Sequence, residues 1–339
     1  MDKSLAPIIF VWIGEFLPDW FYKSMSFASQ NNINRKIILI VNYPHKSLNS
    51  TPTIGKNFEI CNLNIQKLLA IKPSKLLYNN DFWLNTSLRF WYLREFSKLR
   101  KLTHFFHAEL DNAIFPLGDL DKRLNAIGRG LFVPRDSPER AVASLIYCNR
   151  TECLDELIGI YKAHAHPKHD MEALGNFAIK FPEVFFSLPT ESFQYNSTIW
   201  DLLNPMITKG IFDAASIGQY VLGVDPIWKY KTSWNGFINE NCKIEWNQVN
   251  IMSDGKRFFL KYNRNFNGYN FPLYNLHVHS KDWQAFESAL QNGPFMKRLQ
   301  KGKISIVSGR AYFLFSPLFF FFVYSRKTIK KLLMKFNDK

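Results

Sequence analysis

The chain has 339 residues, of which 47% are hydrophobic and 16% aromatic, with 32 Phe. That apolar content buries a large core and excludes global disorder, and the lack of a 20–50-residue period excludes solenoids and propellers. The formal net charge is +15, but Lys297–Lys339 hold eleven basic residues and one acid, so residues 1–296 carry only +5. Charge gathered in a tail, instead of along a groove, argues against a nucleic-acid partner.

Four cysteines occur, Cys61, Cys148, Cys153 and Cys242, with no CxxC pair. This is the usage of reduced thiols in a cytosolic compartment. Met1–Pro7 is short and carries Asp2 and Lys3, and the apolar run after it is too brief for a secretory h-region, so no leader is expected.

Ile8–Ile13 is a continuous apolar run ending at Gly14, the pattern of a strand buried on both faces. Pro18–Gln30 reads as a helix, and Lys36–Asn42 repeats the buried-strand pattern. Strand, helix, strand at this spacing is a βαβ unit and predicts an α/β sheet. Phe82–Leu102 reads as a long helix whose aromatic stripe is core-facing, with Arg89, Arg94 and Lys98 between the aromatics. Thr103–Ala108 reads as a strand running into Glu109-Leu110-Asp111-Asn112, and acids at the carboxyl end of a parallel strand sit where α/β folds place ligands. A strand over 131–134, helices over 141–164, 170–179 and 213–222, and strands over 256–262 and 275–279 follow. With no Gly/Pro/Ser-rich linker before residue 285, residues 1–285 read as one α/β domain and 286–339 as an appended segment.

That segment is basic and Phe-rich. Ala311–Tyr324 is uncharged but 14 residues long and contains Pro317, short of the ~20 residues a span needs. Basic clusters flank it, and Thr328–Phe336 places apolar residues on one helical face with lysines opposite. This is the pattern of an in-plane anchor on an anionic membrane surface, with a terminal core helix as the alternative.

Four constellations could carry chemistry. Glu109 and Asp111 supply hard oxygen ligands for Mn²⁺ or Mg²⁺ on a diphosphate, or form a solvated turn. His277 and His279 alternate on one strand face, where a neutral imidazole can ligate metal, and Lys281 can meet a phosphate. Gly210–Pro226 reads as a tight loop–helix–loop with Asp213 as N-cap. His164, His166 and His169 lie in a polar loop without a cysteine or acid at ligand spacing, and zinc is not expected there. No GxGxxG follows the first strand, and GxxxxGK[ST], GxSxG and HExxH are absent.

Taken in order, several stretches resemble a GT-A-type glycosyltransferase: Phe10-Val11-Trp12-Ile13-Gly14, Asn85-Thr86-x-x-Arg89-Phe90, Phe105–Asn112, Gly210–Pro226 and Leu276–Lys281. The resemblance spans residues 7–282 and departs from the strict DxD pattern in having Glu109 in the first acid position. It implies a GT-A-like, Rossmann-related, mostly parallel sheet flanked by helices. It also implies a metal-dependent transferase of hexose or pentose from a nucleotide sugar, a UDP-sugar above all, to a saccharide or lipid-linked glycan. By this resemblance Trp12, Gly14, Arg89, Glu109, Asp111 and Lys281 bind the donor, and Asp111 and His279, with Glu109, hold Mn²⁺ or Mg²⁺. Asp213, Asp170 or Glu172 would be the base of an inverting reaction, Asp213 first. Surface-polysaccharide synthesis at a membrane suits such an enzyme. The alternatives are a non-catalytic, membrane-associated carbohydrate-binding scaffold of the same fold and a metal-dependent phosphodiesterase.

Overall fold

The two apolar runs near the amino terminus are neighbouring parallel strands, β1 (Ile8–Trp12) and β2 (Ile37–Val41), joined by helix α1 (Phe21–Asn31). The computed structural model describes residues 5–43, 54–65, 81–137, 139–162, 167, 169–191, 202–222, 249–262 and 269–292. The expected membrane segment, His164, His166, and the Gly223–Pro226 turn lie outside the described residues.

β3 (Phe58–Asn62) adds in parallel to the outer edge of β2, and β4 (Phe105–Ala108), which follows the long helix α2 (Asp81–Arg100), adds in parallel to the inner edge of β1. Alternation along β1 divides the core in two. Ile8 and Phe10 join Phe21, Met25 and Ala28 of α1 and Leu120 and Leu124 of α3 (Leu120–Ile127) on one face of the sheet. Ile9 faces Phe90, Leu93 and Phe96 of α2 on the other, with α4 (Glu152–Lys162) and α5 (Asp170–Lys180) beside it.

Beyond β4 the sheet turns mixed. β8 (Leu145–Cys148) runs antiparallel to β4 and to β6 (Leu131–Ser137), which carries the short β7 (Arg140–Ala141) at one edge and pairs in parallel with β9 (Phe185–Leu188). The order is β3-β2-β1-β4-β8-β6-β7, with β9 on β6, and helices cover both faces. This is the expected α/β class, a mixed sheet with most strands in one direction.

One helix expected from the sequence is divided. Residues 141–164 give β7, β8 and only then α4. Leu145, Ile146, Tyr147 and Cys148 are all buried, so their helix-compatible apolar run is instead a strand enclosed on both faces in mid-sheet.

A third core lies past the carboxyl end of β4. β5 (Asn112–Ile114) pairs antiparallel with β13 (Asn275–His277), and β10 (Val249–Ser253), β11 (Phe258–Tyr262) and β12 (Asn270–Pro272) form a separate antiparallel sheet. α7 (Ser216–Leu222) and α8 (Trp283–Gln291) close over them. The short α6 (Pro205–Thr208) lies near α3. α8 runs through residue 285, the expected domain boundary, and Phe286 packs edge-on against Phe27 of α1 at 5.1 Å between centroids. Among the described residues no helix is long and apolar enough to cross a membrane.

Candidate active site

β4 ends at Ala108 in mid-sheet and delivers Glu109 and Asp111 onto the turn before β5. β13 then lies antiparallel to β5 with His277 opposite Asn112, and the Val278 amide donates to the Asp111 carbonyl at 2.8 Å. That register sets the His277 ring between the two acids. Its Nε2 is 3.0 Å from Asp111 Oδ2, and its Nδ1 is 3.7 Å from Glu109 Oε2. The Lys281 ammonium also reaches Asp111 Oδ2.

Arg89, projecting from α2, closes the other side. It pairs with Glu109 Oε1 at 2.8 Å and with Asp170 Oδ2, in the first turn of α5, at 2.5 Å. Burial opposes its charge, but the two carboxylates outweigh that and raise its pKa, so the guanidinium stays charged. Burial alone would raise the Asp111 carboxyl too; His277 and Lys281 instead hold it well below the usual carboxylate range. His277 in turn keeps a raised pKa, burial being overcome by Asp111 and Glu109. Behind these groups, on β4, His107 is buried and pushed down to about 3, so it stays neutral, with Nδ1 bonded to the Ile9 carbonyl at 3.0 Å.

The donor set suits a divalent cation. Glu109, Asp111 and His277 each offer one ligand atom, all within 4.8 Å of one another. Glu109 Oε2 and His277 Nδ1 are buried without a hydrogen-bond partner. A buried, unpartnered carboxylate oxygen and ring nitrogen beside a second carboxylate are what a bound cation satisfies once it displaces the imidazole proton. Two carboxylates and one imidazole fit Mn²⁺ or Mg²⁺ in type.

The third donor in this trio is His277, where the sequence pointed to His279. The strand stops at His277, and the His279 amide turns back onto the His277 carbonyl at 2.9 Å. His279 therefore leaves the strand register; its ring stacks on that of His277 at 4.0 Å, and its Nε2 lies 3.3 Å from Gln219 Nε2. Burial and the His277 charge hold it well below the ordinary imidazole pKa.

Asp213, the first expectation for a base, is a fully buried tie between elements. Its Oδ1 accepts from the Ile217 amide and its Oδ2 from the Gly218 and His277 amides, each at 2.9 Å. Its own amide donates to Asn275 Oδ1 at 3.1 Å, and Asn275 Nδ2 donates to Asn112 Oδ1 at 2.9 Å. The carboxylate thus caps α7 and anchors the strand that carries His277. Gly218 makes that approach possible, since a Cβ there would stand 1.8 Å from the His277 carbonyl oxygen.

Asp170 is buried and committed to Arg89, while Glu172, two residues along α5, is partly exposed. Trp12 and Gly14 leave the carboxyl end of β1, the strand next to β4. Trp12 Nε1 donates to the Phe16 carbonyl, and the Gly14 amide donates to Asn42 Oδ1 at the end of β2, both at 3.0 Å. Sequence reasoning missed Asn275 and Glu191. Glu191 follows β9, is buried beside the Ser216 hydroxyl, and is pushed up to about 8 by burial, so it is protonated at neutral pH. Neither carries a motif; both are read only from the contacts around them.

No protein-family profile and no curated protein matches the chain. Among solved structures, it is similar to the apo form of mouse xyloside xylosyltransferase 1, at 8% identity and a TM-score of 0.37 over 55% of this chain and 86% of that one. It is also similar to galactosyltransferase LgtC in complex with donor and acceptor sugar analogues, at 8% identity and 0.38, over 55% and 74% of the two chains. Glycosyltransferase GlyE of Streptococcus pneumoniae TIGR4 aligns at 14% identity and 0.38, over 56% and 46%. Scores of this size assign the chain no donor, acceptor or metal.

Proposed function

We propose that the chain is a metal-dependent glycosyltransferase using a nucleotide-diphosphate sugar, a UDP-sugar first, with a saccharide or lipid-linked glycan as acceptor. The observation that carries this reading is the Glu109–Asp111–His277 trio at the carboxyl end of a mid-sheet strand, with Lys281 and Arg89 beside it. Glu109, Asp111 and His277 would hold Mn²⁺ or Mg²⁺, which when bound supplies Lewis-acid neutralisation of diphosphate oxygens. Lys281 adds a mobile positive charge for those oxygens, and Arg89 holds Glu109 in place through its charged pair. Trp12 and Gly14, on the adjoining strand end, line the approach of the nucleoside. Asp213, Asp170 and Glu172 stay the acids proposed as base of an inverting reaction; Asp170 is held by Arg89 and Asp213 by backbone amides.

The test is a thermal-shift screen of UDP, GDP, CMP and dTDP, each with Mn²⁺ or EDTA. Stabilisation by one nucleotide, lost in EDTA and in Asp111→Ala, supports the reading, because a ligand of the native state raises Tm by mass action. No stabilisation by any nucleotide sinks it and favours the scaffold.

The basic tail is proposed to hold the enzyme on an anionic membrane at its cytoplasmic face, where such donors and lipid-linked acceptors meet. Removal of residues 297–339 is expected to release the protein from anionic liposomes while donor binding persists. Unchanged liposome binding by the shortened chain would remove the tail from that role.

A further inference from the structure

Lys281 sits in an unusual place for a residue meant only to meet a substrate phosphate. Its backbone is in the left-handed region at φ 58°, fixed by its amide donating to the Val278 carbonyl at 2.9 Å. From that turn its ammonium lies on Asp111 Oδ2, the same oxygen His277 Nε2 reaches at 3.0 Å, with the Trp20 ring 5.9 Å away. The three carboxylates of the site, Glu109, Asp111 and Asp170, are thereby faced by Arg89, His277 and Lys281, all from this chain. The cluster already carries its own positive charge, and a divalent cation entering beside the Lys281 ammonium meets repulsion and a carboxylate that is engaged.

Of the pair, Lys281 is the one able to leave. Its side chain keeps 29% of its surface exposed against 14% for Asp111, and a four-carbon stem swings freely where the short Asp111, held on its turn by the Val278 amide, does not. A diphosphate is the partner that would draw it away, since it offers an ammonium several anionic oxygens at the edge of the site.

Resting on the metal and diphosphate reading above, we propose that Lys281 is an internal competitor of the divalent cation. It occupies Asp111 in the nucleotide-free protein and transfers to the diphosphate when nucleotide arrives, so that metal and nucleotide favour one another's binding. The nucleotide-free site is thereby kept from filling with metal alone. Coupling of this kind is reciprocal: the factor by which nucleotide tightens metal equals the factor by which metal tightens nucleotide.

The experiment is Mn²⁺ titration of the full chain by calorimetry and by electron paramagnetic resonance, without and with saturating UDP. The proteins are the wild type, Lys281→Met, Lys281→Gln, Lys281→Arg and Asp111→Ala, each first shown to melt cooperatively. Lys281→Met and Lys281→Gln are expected to bind Mn²⁺ about tenfold more tightly than wild type without UDP, and the tightening by UDP is expected to shrink by about the same factor. Lys281→Arg, which keeps a cation at that point, is expected to behave as wild type. Neutral variants that bind Mn²⁺ no more tightly than a wild type that does bind it, with Asp111→Ala inert, overturn the competition and leave the metal site standing. A wild type that binds no Mn²⁺ in either condition overturns the metal reading itself, and the competition with it.

Discussion

Two buried regions meet where β4 ends, and they are held by different forces. On the sheet side, Ile8, Phe10, Leu39 and Phe106 lie in a continuous apolar layer under α1, and the buried polar group at its edge, the Arg35–Asp121 pair over Phe106, is hydrogen-bonded within itself and to Ala6. On the far side, Asn112, Ser144, Asp213 and Asn275 are equally buried, and their order depends on hydrogen bonds that join residues up to 163 positions apart. Apolar packing is tolerant, because a lost methylene removes a share of contact energy and neighbours relax in part. A buried polar hub is not, because each broken bond leaves a donor or acceptor that water cannot reach. The stiff hub is the one that sets the position of His277, so the region with least freedom to relax carries a proposed metal ligand.

The strongest challenge to this contrast falls on the site itself. Asp111→Ala is expected to abolish the Mn²⁺-dependent nucleotide stabilisation and to lower sugar transfer at least ~100-fold, since a metal's charge stabilisation is worth several kcal/mol. Residual transfer at the wild-type rate would end the metal role.

A paired comparison comes next. Leu39→Ala, in the apolar layer, and Asp213→Asn, in the hub, are each expected to cost about 2–4 kcal/mol, one by cavity formation and the other by stranding backbone amides. Both should therefore lower Tm by roughly 5–15 °C. Only Asp213→Asn should also weaken Mn²⁺ binding, by about tenfold or more, because it frees the strand that carries His277. Equal metal affinity in the two variants, measured well below both melting points, would show that the hub serves stability alone.

Glu191 gives a pH test of the same hub. Its carboxyl is pushed up to about 8 in the folded chain, from an ordinary value of 4.5. Between those values the unfolded state loses a proton that the native state keeps, so stability falls as pH rises from about 4.5 to 8 and is flat with respect to this group above that. Glu191→Gln should flatten that slope and raise Tm at pH 8 by at least a few degrees, at roughly 2–4 °C per kcal/mol. A Tm–pH curve parallel to wild type would place Glu191 in a wetter setting.

The smallest effect is expected at His279. His277→Ala should weaken Mn²⁺ binding at least ~10-fold, whereas His279→Ala, behind it in the stack, should change it less than about threefold. A reversal of that ranking would return His279 to the metal.

Much of the sheet is legible in the residue order. Ile8–Trp12 and Ile37–Val41 are short, uninterrupted apolar runs rich in β-branched residues, which favours strand over helix, and Glu109 and Asp111 stand directly after another buried strand. Residues 141–164 were not legible, because a short apolar run supports helix and buried strand alike until the neighbours at β4 and β6 decide. β3, with its partly exposed FEICN pattern, gave a weak signal for the same reason that it sits at a sheet edge.

The chain's residue order by itself determined the apolar strands, the acids that follow one of them, and the gathering of basic charge in the last 43 residues. Each is a local pattern, settled by burial and by side-chain chemistry within a few positions. Tertiary structure alone decided that His277 and not His279 faces Asp111, that Asp213 spends its carboxylate on three amides, and that Lys281 rests on the oxygen a cation would need. Those outcomes follow from the register of β13 on β5 and from the turn after it, and register is a contact between distant residues that no local pattern encodes.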